Sequence, residues 1–327
     1  MRSMTSSIWE ITNTRTWGRP PDLFREGGRH LPLGDAGFVV MREDDGAGRL
    51  FLRFFFPCCM IGKGTGHRRP IRTEIHMNSK YFSINEGGYS IRCKLYGTGA
   101  REYGRMVVYG HGFGGHKDTK AAERLAEKLL SKKKDVALVT FDLPGHGEDA
   151  MRELHLSDCD AYLDLVIRHL REKFGAKELY ANATSFGGYV FLDHIRQHEN
   201  PFRSVVLRCP AVEMQKVFTG LITEDHKKEL SKGRPAMVGF DRKVRVTADY
   251  LRELEEHDLL TFDYSGLADS MLILQGTKDE IVPCEMVTSF ADRNGLLCMT
   301  IEGADHRFQD PKKMDEAIKE TIEFFDL

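Results

Sequence analysis

The sequence predicts an α/β protein with a mostly parallel central sheet and helices on both faces. Two observations carry that expectation. Short apolar runs, "RMVVYG" (105–110), "DVALVTFD" (135–142), "ELYANAT" (178–184), "SVVLRCP" (204–210), "SMLILQG" (270–276) and "LLCMTIEG" (296–303), alternate with amphipathic helical stretches at Lys120–Ser131, Asp158–Lys173, Gly188–His198, Glu285–Asn294 and Lys312–Phe325. The runs are nearly continuous rather than alternating, as expected of strands covered on both faces, and an intervening helix supplies each parallel crossover.

The regular pattern starts at residue 74. Two alternating stretches, "EIHMNSKYFSI" and "YSIRCKLYG", flank the turn "NEGG" and read as an antiparallel hairpin. Residues 74–327 are therefore expected to form the domain. Residues 1–73 read as an N-terminal extension, disordered or outside the native domain and dispensable for folding; translated upstream sequence is the competing explanation. Up to residue 76 the chain has eleven arginines and a single lysine, Lys63, against sixteen arginines and nineteen lysines afterwards. That first part also holds both tryptophans and shows no sustained period of 2 or 3.6. One long interval, Glu213–Asp269, breaks the strand–helix rhythm, and is expected to be a polar, partly helical lid that matters more for selectivity than for stability.

Composition removes several function classes. With 41% hydrophobic residues in 327, the chain can bury a sizeable core. A formal net charge of -2 gives no basic face for nucleic acid. The apolar run "LFLRFFFPCCMIG" is too short for a bilayer and contains Arg53 and Pro57, so no membrane partner is expected. Its polar start does not resemble a secretory signal. The seven cysteines are odd in number, lack metal-site spacing and lie largely in apolar stretches, so they read as reduced thiols of a cytoplasmic protein. A homodimer is left open.

In doubly wound sheets the ligand lies beyond the carboxyl ends of the strands, so the residues there are the candidates. Ser185 follows "ELYANAT" in Ala183-Thr184-Ser185-Phe186-Gly187, a variant of the G-x-S-x-G strand-to-helix elbow. Small residues two before and two after the serine let strand and helix approach. On its own the pentapeptide fits a helix-capping serine equally well. Asp279, in "GTKDEIVP", could be a turn residue, and His306, in "GADHRF", a surface histidine. Together they supply a nucleophile, a base and an orienting carboxylate, in the order Ser185, Asp279, His306, all at strand ends. An acyl oxyanion needs two N–H donors, expected from Phe113 in "HGFGG" and from Phe186. The glycine-rich loop lacks the phosphate-binding pattern. His111 is a second base candidate or, more in keeping with its place, a brace for this loop. A metal reading of Asp142, His146, Glu148 and Asp149 is disfavoured because loop carboxylates are usually solvated.

On these motifs, residues 74–327 resemble a serine α/β-hydrolase, and within that family are similar to small bacterial acyl esterases of the cinnamoyl and feruloyl type. The resemblance implies the α/β-hydrolase fold and cleavage of a small acyl ester through an acyl-enzyme, with no metal or organic cofactor. Loop 142–149 would then be scaffold. A serine peptidase or amidase, a thioesterase or an acyltransferase would share the same groups, and a ligand-binding protein with little turnover is the alternative of another class. Ala183 replaces the first elbow glycine, and the family does not explain the N-terminal segment.

Overall fold

The structure, a computed structural model, describes residues 39–44, 50–55 and 77–327. The chain divides into two units, Met1–Arg72 and Thr73–Leu327. In the first, β1 (Val39–Asp44) pairs antiparallel with β2 (Leu50–Phe55), from Val39 opposite Phe55 to Asp44 opposite Leu50. The expectations for residues 1–38, 45–49 and 56–76, including Cys58, Cys59 and Lys63, lie outside the described residues.

In the second unit β3 (Asn78–Glu86) and β4 (Tyr89–Gly97) form the expected hairpin around Gly87-Gly88. The elements that follow are β5 (Arg105–Gly110), α1 (Lys120–Leu130), β6 (Val136–Phe141), α2 (Leu156–Phe174), β7 (Glu178–Thr184), α3 (Phe186–Gln197) and β8 (Ser204–Arg208). Then come α4 (Met214–Leu221), α5 (Glu224–Ser231), β9 (Ala236–Val238), β10 (Val244–Val246), α6 (Ala248–Glu256), β11 (Met271–Gly276), α7 (Cys284–Asn294), β12 (Leu297–Ile301) and α8 (Pro311–Phe325). Eight strands form one sheet in the order β12-β11-β8-β7-β5-β6-β4-β3, with β4 antiparallel to its neighbours and the rest parallel to one another. The crossover after β5 reverses direction in the sheet, which opens a crevice at the carboxyl ends of β5 and β7.

Successive side chains of a strand point to opposite faces, so each central strand feeds two cores. In β5, Met106 and Val108 join the core beneath α2, α3 and α7, while Val107 and Tyr109 join the one beneath α1 and α8. Helix ends follow local chemistry. Thr119 caps α1, Gly175 with φ 68° ends α2, and Asp310 followed by Pro311 starts α8.

The interval 213–269 is more ordered and more apolar than its composition suggested. It folds as α4, α5, a β9–β10 hairpin and α6, and it buries Met214, Phe218, Val238, Val244, Tyr250 and Leu254 in the core shared with α2 and α3. Removing it would expose apolar surface of that core to water. Only α5 has no buried residue.

Candidate active site

Ser185 ends β7 and precedes α3 with φ 53° and ψ -117°, a region sparsely populated by residues other than glycine. Such a conformation costs roughly 1–3 kcal/mol and persists only when neighbours fix it. Here the Ser185 N–H donates to Arg208 O (3.0 Å), and Ser185 O accepts from the N–H groups of Tyr189 (3.1 Å) and Ala211 (3.2 Å). A Cβ on Gly187 would lie 2.6 Å from His111 O, so only glycine fits where the helix crosses the β5 loop. Although Ser185 occupies the N-cap position of α3, its side chain makes no capping bond. Its Oγ instead lies 2.9 Å from His306 Nε2.

The other face of that imidazole meets a carboxylate. His306 Nδ1 is 2.8 Å from Asp279 Oδ2, and Oδ1 also accepts from the N–H groups of Ile281 (2.9 Å) and Val282 (2.7 Å), while Gln275 Nε2 donates to Oδ2 (3.2 Å). Burial pushes the Asp279 pKa up, but hydrogen bonding to His306, its charge, the Val282 N–H and the Cys209 thiol together hold it below the usual value. An ionised Asp279 accepts the Nδ1 proton, which leaves Nε2 as the acceptor facing the Ser185 hydroxyl. The Asp279 side chain is fully buried and that of His306 is 11% exposed, so solvent reaches the edge of the imidazole but not the carboxylate.

Arg208, unremarked in the sequence reading, ties this arrangement together from behind. Its guanidinium donates to His306 O (3.3 Å) and to Thr184 Oγ1 (3.1 Å) and lies over the Phe308 ring at 4.9 Å. One cation therefore links the residue before the serine to the histidine loop. An arginine inside "SVVLRCP", otherwise apolar, was the available signal. Cys209 and Gln275 were also missed. The buried Cys209 thiol sits beside Asp279 and His306 with its pKa well above normal through burial, so it is protonated and a poor metal ligand.

The loop after β5 completes the site. Neither the Phe113 N–H nor the Phe186 N–H meets an acceptor among the described residues. His111 Nε2 accepts from the Leu143 N–H (3.1 Å), which fixes its proton on Nδ1, where it is donated to Gly112 O (2.9 Å). Burial pushes the His111 pKa down to about 4, so the ring is a neutral brace. His146 is buried as well, its pKa lowered to about 3 by burial, and it stacks on Phe186 with ring centroids 5.8 Å apart. The Phe113 ring packs edge-on against Phe186, His146 and, from the 213–269 interval, Phe218. The donors of the 142–149 loop do not converge on one point. Asp142 accepts from Lys117 N, Lys117 Nζ and Glu148 N, Asp149 accepts from Tyr162 Oη, and His146 Nδ1 donates to Pro144 O.

Residues 102–251 match the family described as serine aminopeptidase, S33, a span that contains Phe113, Ser185 and Phe186 but ends before Asp279 and His306. The chain has the α/β-hydrolase fold, and its 102–251 segment matches a family of serine hydrolases. The chain is similar in fold to Est1E from Butyrivibrio proteoclasticus, solved with ferulic acid bound, at a TM-score of 0.59 and 18% identity, over 75% of this chain and 97% of that one. It is similar also to the mouse α/β hydrolase domain-containing protein 10, at a TM-score of 0.57 and 17% identity, over 76% of this chain and 98% of that one. No curated protein matches the chain in sequence. Among its described residues no helix is long and apolar enough to cross a membrane.

Proposed function

We propose that the hydrolase cleaves small carboxylic acyl esters, hydroxycinnamate esters among them, through an acyl-enzyme on Ser185. The observation that carries this reading is the continuous chain from Ser185 Oγ through His306 to Asp279, with contacts of 2.9 and 2.8 Å. His306 Nε2 takes the hydroxyl proton as Oγ attacks the acyl carbon, and Asp279 stabilises the imidazolium that forms. The N–H groups of Phe113 and Phe186, with the positive end of α3, stabilise the oxyanion. Collapse expels the alcohol, which His306 protonates; water, deprotonated by the same nitrogen, then releases the acid and restores Ser185. The balance closes with water as the only co-reactant.

Residues 74–327 form the catalytic unit in this reading, and 213–269 acts as a lid that selects the acyl group. Two contacts support the lid. The Phe218 ring packs edge-on against Phe113 with centroids 4.9 Å apart, and Asp241 pairs at 3.0 Å with Arg307, next to His306. The free thiols of Cys93, Cys159, Cys209, Cys284 and Cys298 support a reducing, cytoplasmic compartment. Ferulic acid bound to Est1E supports the hydroxycinnamate class. The family description, a serine aminopeptidase, favours amide cleavage as the second reading.

A panel of p-nitrophenyl esters, hydroxycinnamate esters and aminoacyl anilides decides between them. Esters should turn over faster than anilides, fluorophosphonate should label the protein once, and Ser185→Ala should abolish labelling and lower kcat on the order of a thousandfold or more. Anilides outpacing every ester would favour the peptidase. Absence of both turnover and labelling would leave a ligand-binding protein.

A further inference from the structure

At the end of α3 remote from Ser185, two histidines one helical turn apart face a carboxylate of the neighbouring helix. His194 and His198 are at i and i+4, the spacing that puts both side chains on one face of a helix. Their rings are 4.5 Å apart, and Asp160, from the second turn of α2, lies against both. His194 Nδ1 is 2.6 Å from Asp160 Oδ1, and His198 Nε2 is 3.1 Å from Oδ1 and 2.9 Å from Oδ2. The three donor atoms all fall within 4.8 Å of one another.

We propose that His194, His198 and Asp160 form a binding site for a first-row divalent transition metal, zinc above all. Zinc takes imidazole nitrogen and carboxylate oxygen at about 2.0–2.2 Å, which places two donors of one tetrahedral ion about 3.3 Å apart. The His194–Asp160 and His198–Asp160 separations, 2.6 and 2.9 Å, are a little shorter than that value, and the two imidazole nitrogens lie within 4.8 Å of each other. The proton balance is simple. On metal binding, the ring nitrogen that faces Asp160 gives up any proton it carries, to the other ring nitrogen or to solvent. Water fills the remaining position.

The surroundings suit a metal that staples helices. His194 is 4% exposed at its side chain, Asp160 20% and His198 46%, so an ion enters past His198 and is held by a residue anchored in the fold. Two nitrogens and one carboxylate suit zinc, cobalt, nickel and copper over magnesium, which prefers an all-oxygen octahedron. The site lies roughly 14–20 Å along α3 from Ser185 at 1.5 Å per residue, too far for its metal to touch the reacting atoms. Its effect is to lock α3, which begins at the nucleophile, to α2.

Calorimetric titration of the full chain with zinc, in chelator-free buffer containing millimolar magnesium, tests this. Wild type should bind one equivalent and melt at a higher temperature with zinc. His198→Ala and Asp160→Asn should each weaken binding at least about tenfold, the lower end of what even supporting residues of metal sites contribute. Cys209→Ser should leave it unchanged. Ester turnover in metal-free buffer should be the same in His198→Ala and wild type. Failure of wild type to bind saturably, equal affinity in His198→Ala, or loss of binding in Cys209→Ser would overturn the proposal. His198 is exposed, so its variant decides the matter even if Asp160→Asn does not fold.

Discussion

His306 and His111 both follow strands on the carboxyl edge of one sheet, and the fold treats them in opposite ways. His306 is partly exposed and lies between a carboxylate and a hydroxyl. His111 is buried between a backbone carbonyl and a backbone N–H, and its pKa is driven down to about 4. A carboxylate at one ring nitrogen fixes the tautomer and leaves the other nitrogen as an acceptor, whereas burial among amides keeps the His111 ring neutral. The same side chain is thereby a candidate base in one loop and a strut in the next.

The strongest way to break this contrast is to remove the carboxylate. In Asp279→Asn the amide can donate to Nδ1, which moves the ring proton to Nε2 and presents a donor to Ser185. On the catalytic reading kcat falls on the order of ten-thousandfold with little change in melting temperature, since the side chain keeps its shape. A loss below about tenfold would mean that Asp279 does not orient the base. Arg208→Met is the next largest. It leaves the carboxylate in place but releases the His306 carbonyl, and a shift of the ring by a fraction of an ångström to 1 Å should lower kcat roughly ten- to a hundredfold with KM little altered. Steady-state kinetics on one ester would show it. A change confined to KM would remove Arg208 as a positioning residue.

His111 should reveal itself in stability rather than rate. Its folded pKa of about 4 lies below the unfolded value near 6.5, so between these limits the unfolded chain binds the extra proton. The contribution is therefore fully present above about pH 6.5 and is lost as pH falls toward 4, by on the order of 3 kcal/mol. His146, with a folded pKa of about 3, adds loss over the same range and below it. Urea unfolding at pH 7.5 and 4.5 should show this decline, and His111→Gln should make it shallower. If His111→Gln keeps the full pH dependence, the brace is not the titrating group.

The contrast also marks what the sequence could convey. The sheet, its crossovers and the strand-end positions of Ser185, Asp279 and His306 were legible because apolar runs and helical periods are local, and because loop chemistry sits at run ends. The meeting of those three side chains within hydrogen-bond distance follows only once β7, β11 and β12 lie parallel in one sheet, with β8 between β7 and β11. Arg208 was not legible, since its partners are a main-chain carbonyl 98 residues away and a threonine hydroxyl on the adjacent strand. Nor was the packing of 213–269. Its buried residues are few and spaced by charged ones, so the core they enter is visible only when α2 and α3 are present.

The elbow's one departure from the expected glycine gives the smallest effect. Ala183 pairs with Gly110 across β7 and β5, and a Cβ on Gly110 would lie 3.2 Å from the Ala183 methyl and 2.7 Å from the Phe191 ring. The missing side chain on Gly110 is thus what makes room for a methyl at 183. Ala183→Gly should cost about 1 kcal/mol, from added backbone freedom in the unfolded chain and a lost buried methyl, with kcat unchanged. The denaturation midpoint and turnover, measured together, check this. A fall in kcat of tenfold or more would show that the methyl holds the strained backbone of Ser185, and not merely the space beside it.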